Sequence, residues 1–580
     1  MPSFRRSSNS PKPPGSTSSV FNFSANSSNM ADFGSSDLPF RNSLAASDRG
    51  SVTNEASSPN GSSHPRGVDR VVRELTRYLD VLRPKKKQAQ QQADDDTSVC
   101  GLHIEELLTA PLFSWSVKLA LADERKRGRT PASAHFDQFA LLGQERTTAT
   151  TRASAHNPDG VEPIFLNTNA PWSAFLCGSQ GSGKSHTLAV MLEGCLLPNK
   201  ALGRLPEPLQ GIVFHADALA AGGVCEAAHL CSAGVEVNVL VSPSNYWRLR
   251  QAYANIPDPQ KCLNVRQLRL KPKHLNVERM LSLMAFNESN GRVPLYMEVI
   301  NKILREMATS AQQSFQFDYK RFIRLLEQER LTGDQKGPMT LRLQLLESFL
   351  DVDGTDDNNN TADMFSPPPG SLTIVDLTDP FIDASSACTL FDICLALFLE
   401  DAPPSPSPQS PPSPSLGRVI ALDEAHKYLS ATSTASDRFT DSLLTAIRVQ
   451  RHAGTRIIVA TQEPTVSPKL LDLCSLTLVH RFASPAWLAV LRQHLAGLSA
   501  VAGRSEEEVR ALFEEIVTLG VGEGLVFAPS AMVRVFLVEG GGGRGAGAPK
   551  RIAKLGTECL RFRTRPRLTS DGGRSVLAIR

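Results

Sequence analysis

The eight residues Gly178-Ser179-Gln180-Gly181-Ser182-Gly183-Lys184-Ser185 combine three glycines with a lysine and a terminal hydroxyl. Glycines let the backbone turn tightly enough for successive N–H groups to converge on one anion. An apolar run, Ala174–Cys177, precedes this loop, and a helix-forming run, Thr187–Leu197, follows it. A helix starting there adds the positive end of its dipole to the same point. In that setting the Lys184 ammonium reaches the β and γ phosphates of a nucleoside triphosphate such as ATP, and the Ser185 hydroxyl joins the shell of a Mg²⁺ ion. His186, next in the chain, is grouped with the loop as a nucleotide-binding residue. A Gly/Ser turn before a helix is otherwise only a turn; the order strand, loop, helix separates the two readings.

Phosphate chemistry also needs carboxylates, and the run Val419–Leu422 ends in Asp423 and Glu424. Asp423 is expected on the Mg²⁺ ion, directly or through a bound water. Glu424, on the other side of the strand, is placed to polarise an attacking water. The run Arg456–Ala460 delivers Thr461 and Gln462 to the same sheet edge, where a polar group holds the lytic water or senses the γ phosphate. Asp376, closing Leu372–Val375, faces the same crevice and stays outside the site set.

Elements of α/β type must position these residues. Short β-branched runs alternate with longer helical stretches and read as parallel strands: Ala174–Cys177, Gly211–His215, Val235–Val241, Leu372–Asp376, Arg418–Leu422, Arg456–Ala460 and Leu476–Val479. The expected fold is a mostly parallel sheet flanked by helices. Gly524–Ala528 and Val533–Val538 read as a hairpin. The expected organisation is a Ser-rich disordered tail over 1–65, then a helix, basic/Gln linker and small accessory region over 66–160. The phosphate-loop half of the core covers 161–245, and a mainly helical insertion covers 246–350. An acidic Asn-rich loop (351–370) leads into the second half, 371–540, which carries a Pro/Ser loop at 402–414; a basic tail closes the chain over 541–580.

With these residues in view, the chain resembles the HerA/FtsK superfamily of P-loop ATPases. The likeness rests on Gly178–Ser185, on Leu422-Asp-Glu-Ala-His-Lys-Tyr428 as a DEAH[RK]Y-like acidic box, and on Arg451-His-Ala-Gly454 followed by an apolar strand and Thr461-Gln-Glu-Pro-Thr465. It covers roughly residues 163–200 and 371–529 and is closer to a fungal HerA-like ATPase than to a bacterial chromosome pump. The resemblance implies a RecA-like core hydrolysing ATP, commonly as a hexameric ring that translocates DNA. In P-loop enzymes an arginine from a neighbouring subunit offsets charge on the transferred phosphoryl group, and Arg451 and Arg481 are the candidates. Glu463 stands where the family carries Arg or Lys. A DEAH-box helicase reading fails, because 239 residues separate Lys184 from Asp423 and no QxxGRxGR block follows.

The 580 residues carry 62 Lys and Arg against 59 Asp and Glu, a net charge of +3. That balance excludes a histone-like or strongly acidic protein, yet its distribution is uneven. Residues 248–273 carry a net +6 and residues 544–580 a net +8, leaving −11 elsewhere. Two basic segments on an otherwise acidic chain are the expected DNA contacts. Arg561-Phe562-Arg563-Thr564-Arg565 interleaves an aromatic that could stack on a base. Ten cysteines without a CxxC pair read as reduced thiols, and no apolar run reaches the ~20 residues needed to cross a bilayer. The expectation is an intracellular protein, nuclear or cytoplasmic; Lys85–Lys87 reads first as a solvated run beside a Gln-rich linker, with an import signal as the lesser alternative, and the Ser-rich start reads as plain disorder before a mitochondrial presequence. A reading from another class stays open beside the DNA motor: a nucleotide-dependent switch or scaffold with slow hydrolysis and a protein partner.

Overall fold

Residues 102–572 are described by a computed structural model, except for 129, 132, 147–160, 218–222, 285–294, 310–316, 352–363, 401–416, 430–432, 465, 496–505 and 538–549. All of them belong to one compact unit, Pro84–Arg580. The Ser-rich segment, the helix expected near 68–82, the Lys85–Lys87 run and the Pro/Ser loop lie outside the described residues, as does most of the acidic Asn-rich loop.

In chain order the strands are β1 Leu112–Ser114, β2 Phe139–Glu145, β3 Glu162–Leu166, β4 Ser173–Cys177, β5 Gly203–Arg204, β6 Gln210–His215, β7 Val237–Val241, β8 Leu263–Gln267, β9 Leu372–Asp376, β10 Arg418–Leu422, β11 Thr455–Thr461, β12 Leu476–His480, β13 Glu523–Phe527, β14 Met532–Leu537, β15 Lys550–Lys554 and β16 Leu560–Thr564. They form one sheet in the order β15-β14-β1-β3-β2-β16-β13-β12-β4-β11-β10-β6-β9-β7-β8, with β5 paired to β2. From β12 to β8 every pairing is parallel. From β12 back to β15 every pairing is antiparallel except β1 with β14.

All seven runs expected as parallel strands are neighbours in the parallel half. They are continuous apolar stretches because both faces are covered. Ala174 and Leu176 of β4 pack into one buried cluster and Phe175 and Cys177 into the other. The order β12, β4, β11, β10, β6 puts the strand ending in Thr461 between the loop-bearing strand and the strand ending in Asp423. With a glycine-rich loop after β4, this is a P-loop NTPase core of the RecA-like kind. Its helices include α1 Lys184–Leu196, α2 Tyr246–Tyr253, α3 Val277–Met284, α4 Leu295–Thr309, α5 Tyr319–Gln328, α6 Gly333–Ser348, α7 Ala384–Leu399 and α8 Thr434–Ala453. Helix α8 begins on Ser433, whose hydroxyl accepts from Ser436 N, and stops at Gly454 in the left-handed region, so the chain turns straight into β11.

Two expectations need correction. β13 and β14 are not a hairpin: β13 pairs with β12 and β16, and β14 with β1 and β15. The four residues between them, too short for a crossover in one ladder, instead move the chain to a different part of the sheet. The segment 541–580 is not simply a basic tail, because Lys550–Lys554 and Leu560–Thr564 are strands. Within 246–350 the helices α2 to α6 are accompanied by the edge strand β8. No described helix is long and apolar enough to cross a membrane.

Candidate functional site

The loop after β4 is shaped by its glycines. Gly183 sits at φ +108° as the N-cap of α1, and a Cβ there would come within 2.7 Å of Gly522 N. Gly522 N in turn donates to Ser182 O at 3.0 Å, so the loop rests directly on the backbone leading into β13. Its other side is held by β12: Ser179 N and Oγ both donate to Arg481 O, at 2.8 and 2.9 Å. Ser182 Oγ is buried with no partner, and the Lys184 ammonium, 5% exposed, donates to Ser179 O at 3.0 Å. Burial lowers the Lys184 pKa, opposed by the charges of Glu424 and Asp423. A buried cation beside an unpartnered hydroxyl, under a helix N-terminus, fits an anion such as a polyphosphate.

Asp423 follows β10 and is 4% exposed. Its Oδ2 accepts from His215 Nδ1 at 3.2 Å and from the Cys225 thiol at 3.9 Å. Cys225 N donates to Tyr253 OH, which donates to Asp376 Oδ2 at 2.6 Å. Burial pulls the His215 pKa down, but the Asp423 hydrogen bond and the charges of Asp376 and Asp423 outweigh it and hold His215 at about 9. The three ligand atoms of His215, Cys225 and Asp423 lie within 4.8 Å of one another, and an imidazolium between two aspartates accounts for that cluster without an ion. No protein hydrogen bond ends on Asp423 Oδ1 among the described residues, which leaves one oxygen for a hard cation.

Glu424 takes the left-handed conformation at φ 50° and ψ 43°. Its Oε2 accepts from Gln462 Nε2 at 3.0 Å and lies 3.3 Å from His426 Nδ1. Burial lowers the His426 pKa. Thr461 and Gln462 therefore part company. Thr461 is buried, and its hydroxyl bonds both O and N of Glu463 within the turn after β11; only Gln462 reaches the carboxylate.

A cavity of about 820 Å³ opens over the loop, lined by Gln180, Lys184, Ser185, His186 and Glu424 on one side. Arg563, Pro566 and Val521 line the other, and nothing local in the sequence pointed to them. They arrive because β16 lies across β13 and β2. Thr564 Oγ1 meets Thr187 Oγ1 at 2.9 Å, and His186 Nε2 meets Arg565 O at 2.9 Å. Arg565 is buried, its guanidinium paired to Glu193 of α1 at 2.7 Å. Leu568 N, Thr569 N and Thr569 Oγ1 donate to the same glutamate. Phe562 is fully buried, so it cannot stack on a base. The charge of this segment is largely spent within the chain: Lys550 pairs with Asp123, Lys554 with Glu106, Arg561 with Glu515 and Glu523, and Arg567 with Glu226 and Asp571.

The two expected arginines are placed very differently. Arg481 follows β12 at the loop's own edge of the sheet. Arg451 is exposed in the last turn of α8, four residues before β11 begins, and so lies at the opposite edge.

No family model matches the chain, and no curated protein matches it. Among solved structures it is similar to VirB4 of Thermoanaerobacter pseudethanolicus at 11% identity and a TM-score of 0.38, covering 74% of this chain and 97% of that one. It is also similar to the plasmid coupling protein TrwB in complex with ADP and Mg²⁺, at 12% identity and a TM-score of 0.35, covering 75% and 98%. The genome packaging NTPase B204 of Sulfolobus turreted icosahedral virus 2, in complex with ATP-γS, matches at 15% identity and a TM-score of 0.19 over 30% and 70%.

Proposed function

We propose that this chain is a Mg²⁺-dependent ATPase working in its 820 Å³ cavity, and that it acts as an oligomeric motor on DNA. The observation that carries the hydrolysis is Glu424, held by the Gln462 amide, at the same cavity as Lys184 and Ser185. Gly178–His186 cradle the phosphates and Lys184 neutralises their outer oxygens. Ser185 and Asp423 would hold Mg²⁺, which when bound spreads charge from the β and γ oxygens. Glu424 takes the proton of the attacking water, and Gln462 orients its carboxylate and faces the γ phosphate. Thr461 acts through the turn that presents Gln462. Arg481 is the arginine better placed for a phosphate at this sheet edge; Arg451 serves only across a subunit boundary.

DNA and a hexameric ring come from the resemblance and from the basic segment 248–273. The segment 544–580 contributes less than its charge promised, because Lys550, Lys554, Arg561, Arg565 and Arg567 are paired within the chain. The alternative is a nucleotide-dependent switch or scaffold with slow hydrolysis and a protein partner. Either way the setting is intracellular, nuclear or cytoplasmic.

The test is ATP hydrolysis by the purified chain at low salt, with and without double-stranded DNA, beside Glu424→Gln. The motor reading expects turnover raised by DNA and reduced about a thousandfold in the variant. Turnover indifferent to DNA leaves the switch, and no turnover under any condition refutes the hydrolytic reading.

A further inference from the structure

Of the exposed large apolar side chains among the described residues, Phe381 at 79% and Trp247 at 74% are the most exposed. Both stand on one hydrogen-bonded junction. Ser242 Oγ and Ser244 Oγ donate to the Asp379 carboxylate, Asn245 Nδ2 donates to Thr378 O, and Phe381 N donates to Asp379 Oδ1. The turn after β7, which carries Trp247 into α2, is thus tied to the turn after β9, which carries Phe381. β7 and β9 run parallel to β4 through the intervening strands, so the junction occupies the sheet edge that carries the phosphate loop.

Cations accompany Trp247 on its helix. The Arg250 guanidinium lies 5.7 Å from the Trp247 ring centre and 5.8 Å from that of Tyr246. The Tyr246 and Trp247 rings sit 5.1 Å apart at 61°. Arg248 and Arg250, both on α2, are exposed, and neither has a carboxylate partner among the described residues. The Asp379 carboxylate is 1% exposed and spent on the junction. Here the Trp247 ring stands proud beside the Arg250 guanidinium, offering a π face next to positive charge, and the equally exposed Phe381 sits on the turn tied to it. A single-stranded polynucleotide presents the complement, base faces next to phosphates, whereas a duplex hides its base faces by stacking.

We propose that Trp247 and Phe381 stack on bases of single-stranded nucleic acid while Arg248 and Arg250 contact its phosphates. This deepens the polymer reading above and rests on it for the identity of the partner. It also moves base stacking away from the buried Phe562.

The test is fluorescence anisotropy of the full chain with a labelled oligothymidylate of about 16 nucleotides, at low salt and without ATP. Trp247→Ala and Phe381→Ala are each expected to weaken binding about fivefold or more. Arg248→Ala with Arg250→Ala should flatten the plot of log affinity against log salt by about 1.4, roughly 0.7 for each lost phosphate contact. Polymer-free ATP turnover stays at the wild-type level in all three variants. Wild-type affinity in the ring variants overturns the proposal. So does normal binding accompanied by a changed sedimentation coefficient, which makes the patch a contact between copies. An absence of oligonucleotide binding by the wild-type chain overturns it as well, and turnover that disappears in Glu424→Gln then leaves the hydrolytic reading standing.

Discussion

A left-handed backbone at a glutamate costs about 1 kcal/mol or more, and Glu424 carries that cost at the point where β10 ends. The conformation turns the chain sharply after Asp423, so two adjacent carboxylates serve different surroundings: Asp423 the buried His215, Glu424 the open cavity. Gln462 is the contact that fixes Glu424 from the neighbouring strand. Replacing Gln462 by Ala should lower kcat about tenfold to a hundredfold and leave ATP affinity within about twofold. Single-turnover rates beside a nucleotide titration check this; an unchanged kcat means that Glu424 needs no orienting amide. At this scale the sequence was informative where chemistry dictates spacing. Lys184, Ser185, Asp423 and Glu424 follow from a loop and a strand end, while His215, Arg563 and Arg565 do not, because nothing in their own segments relates them to the loop. The division of labour between Thr461 and Gln462 was equally hidden, being set by which way one turn folds.

The elements explain which strands were legible. β4, β6, β7, β9, β10, β11 and β12 are apolar on both sides because helices cover both faces. β8 reads Leu-Asn-Val-Arg-Gln and is at most half-buried along its length, as befits an edge strand, so it lacked that signal. β16 alternates buried Phe562 with exposed Arg563, and its charges made it look like a tail. Its attachment depends on the Arg565–Glu193 pair, at 7% and 0% exposure. Breaking a pair this deeply buried by removing one partner costs about 3–5 kcal/mol. Arg565→Ala should therefore lower the urea midpoint clearly. A midpoint within error of wild type for Arg565→Ala would mean that β16 is held by its ladders alone.

For the molecule as a whole, net charge said little and its layout misled in part. Of the cations in residues 544–580, Lys550, Lys554, Arg561, Arg565 and Arg567 are paired with acids within the chain, whereas 248–273 keeps exposed cations at Arg248, Arg250 and Lys261. The loop's cavity is assembled from both halves of the sheet, so it is not a property of the parallel half alone. A chain stopped at residue 549 loses β15 and β16 and with them Arg563 and Pro566 from the cavity wall. Such a chain should not bind a fluorescent ATP analogue; wild-type affinity in a soluble truncated chain would show that this wall is dispensable.

The bond from Arg565 Nε to Leu141 O joins residues 424 positions apart. At about 5–20 residues per second, a ribosome needs roughly 20 to 80 s to make the stretch between them. Throughout that interval β2 waits beside the growing polypeptide with one ladder unfilled, an open edge of the kind that recruits the wrong strand. Completion of this core thus waits on the synthesis of β16, and the nascent chain is most in need of a holding chaperone until that strand has emerged.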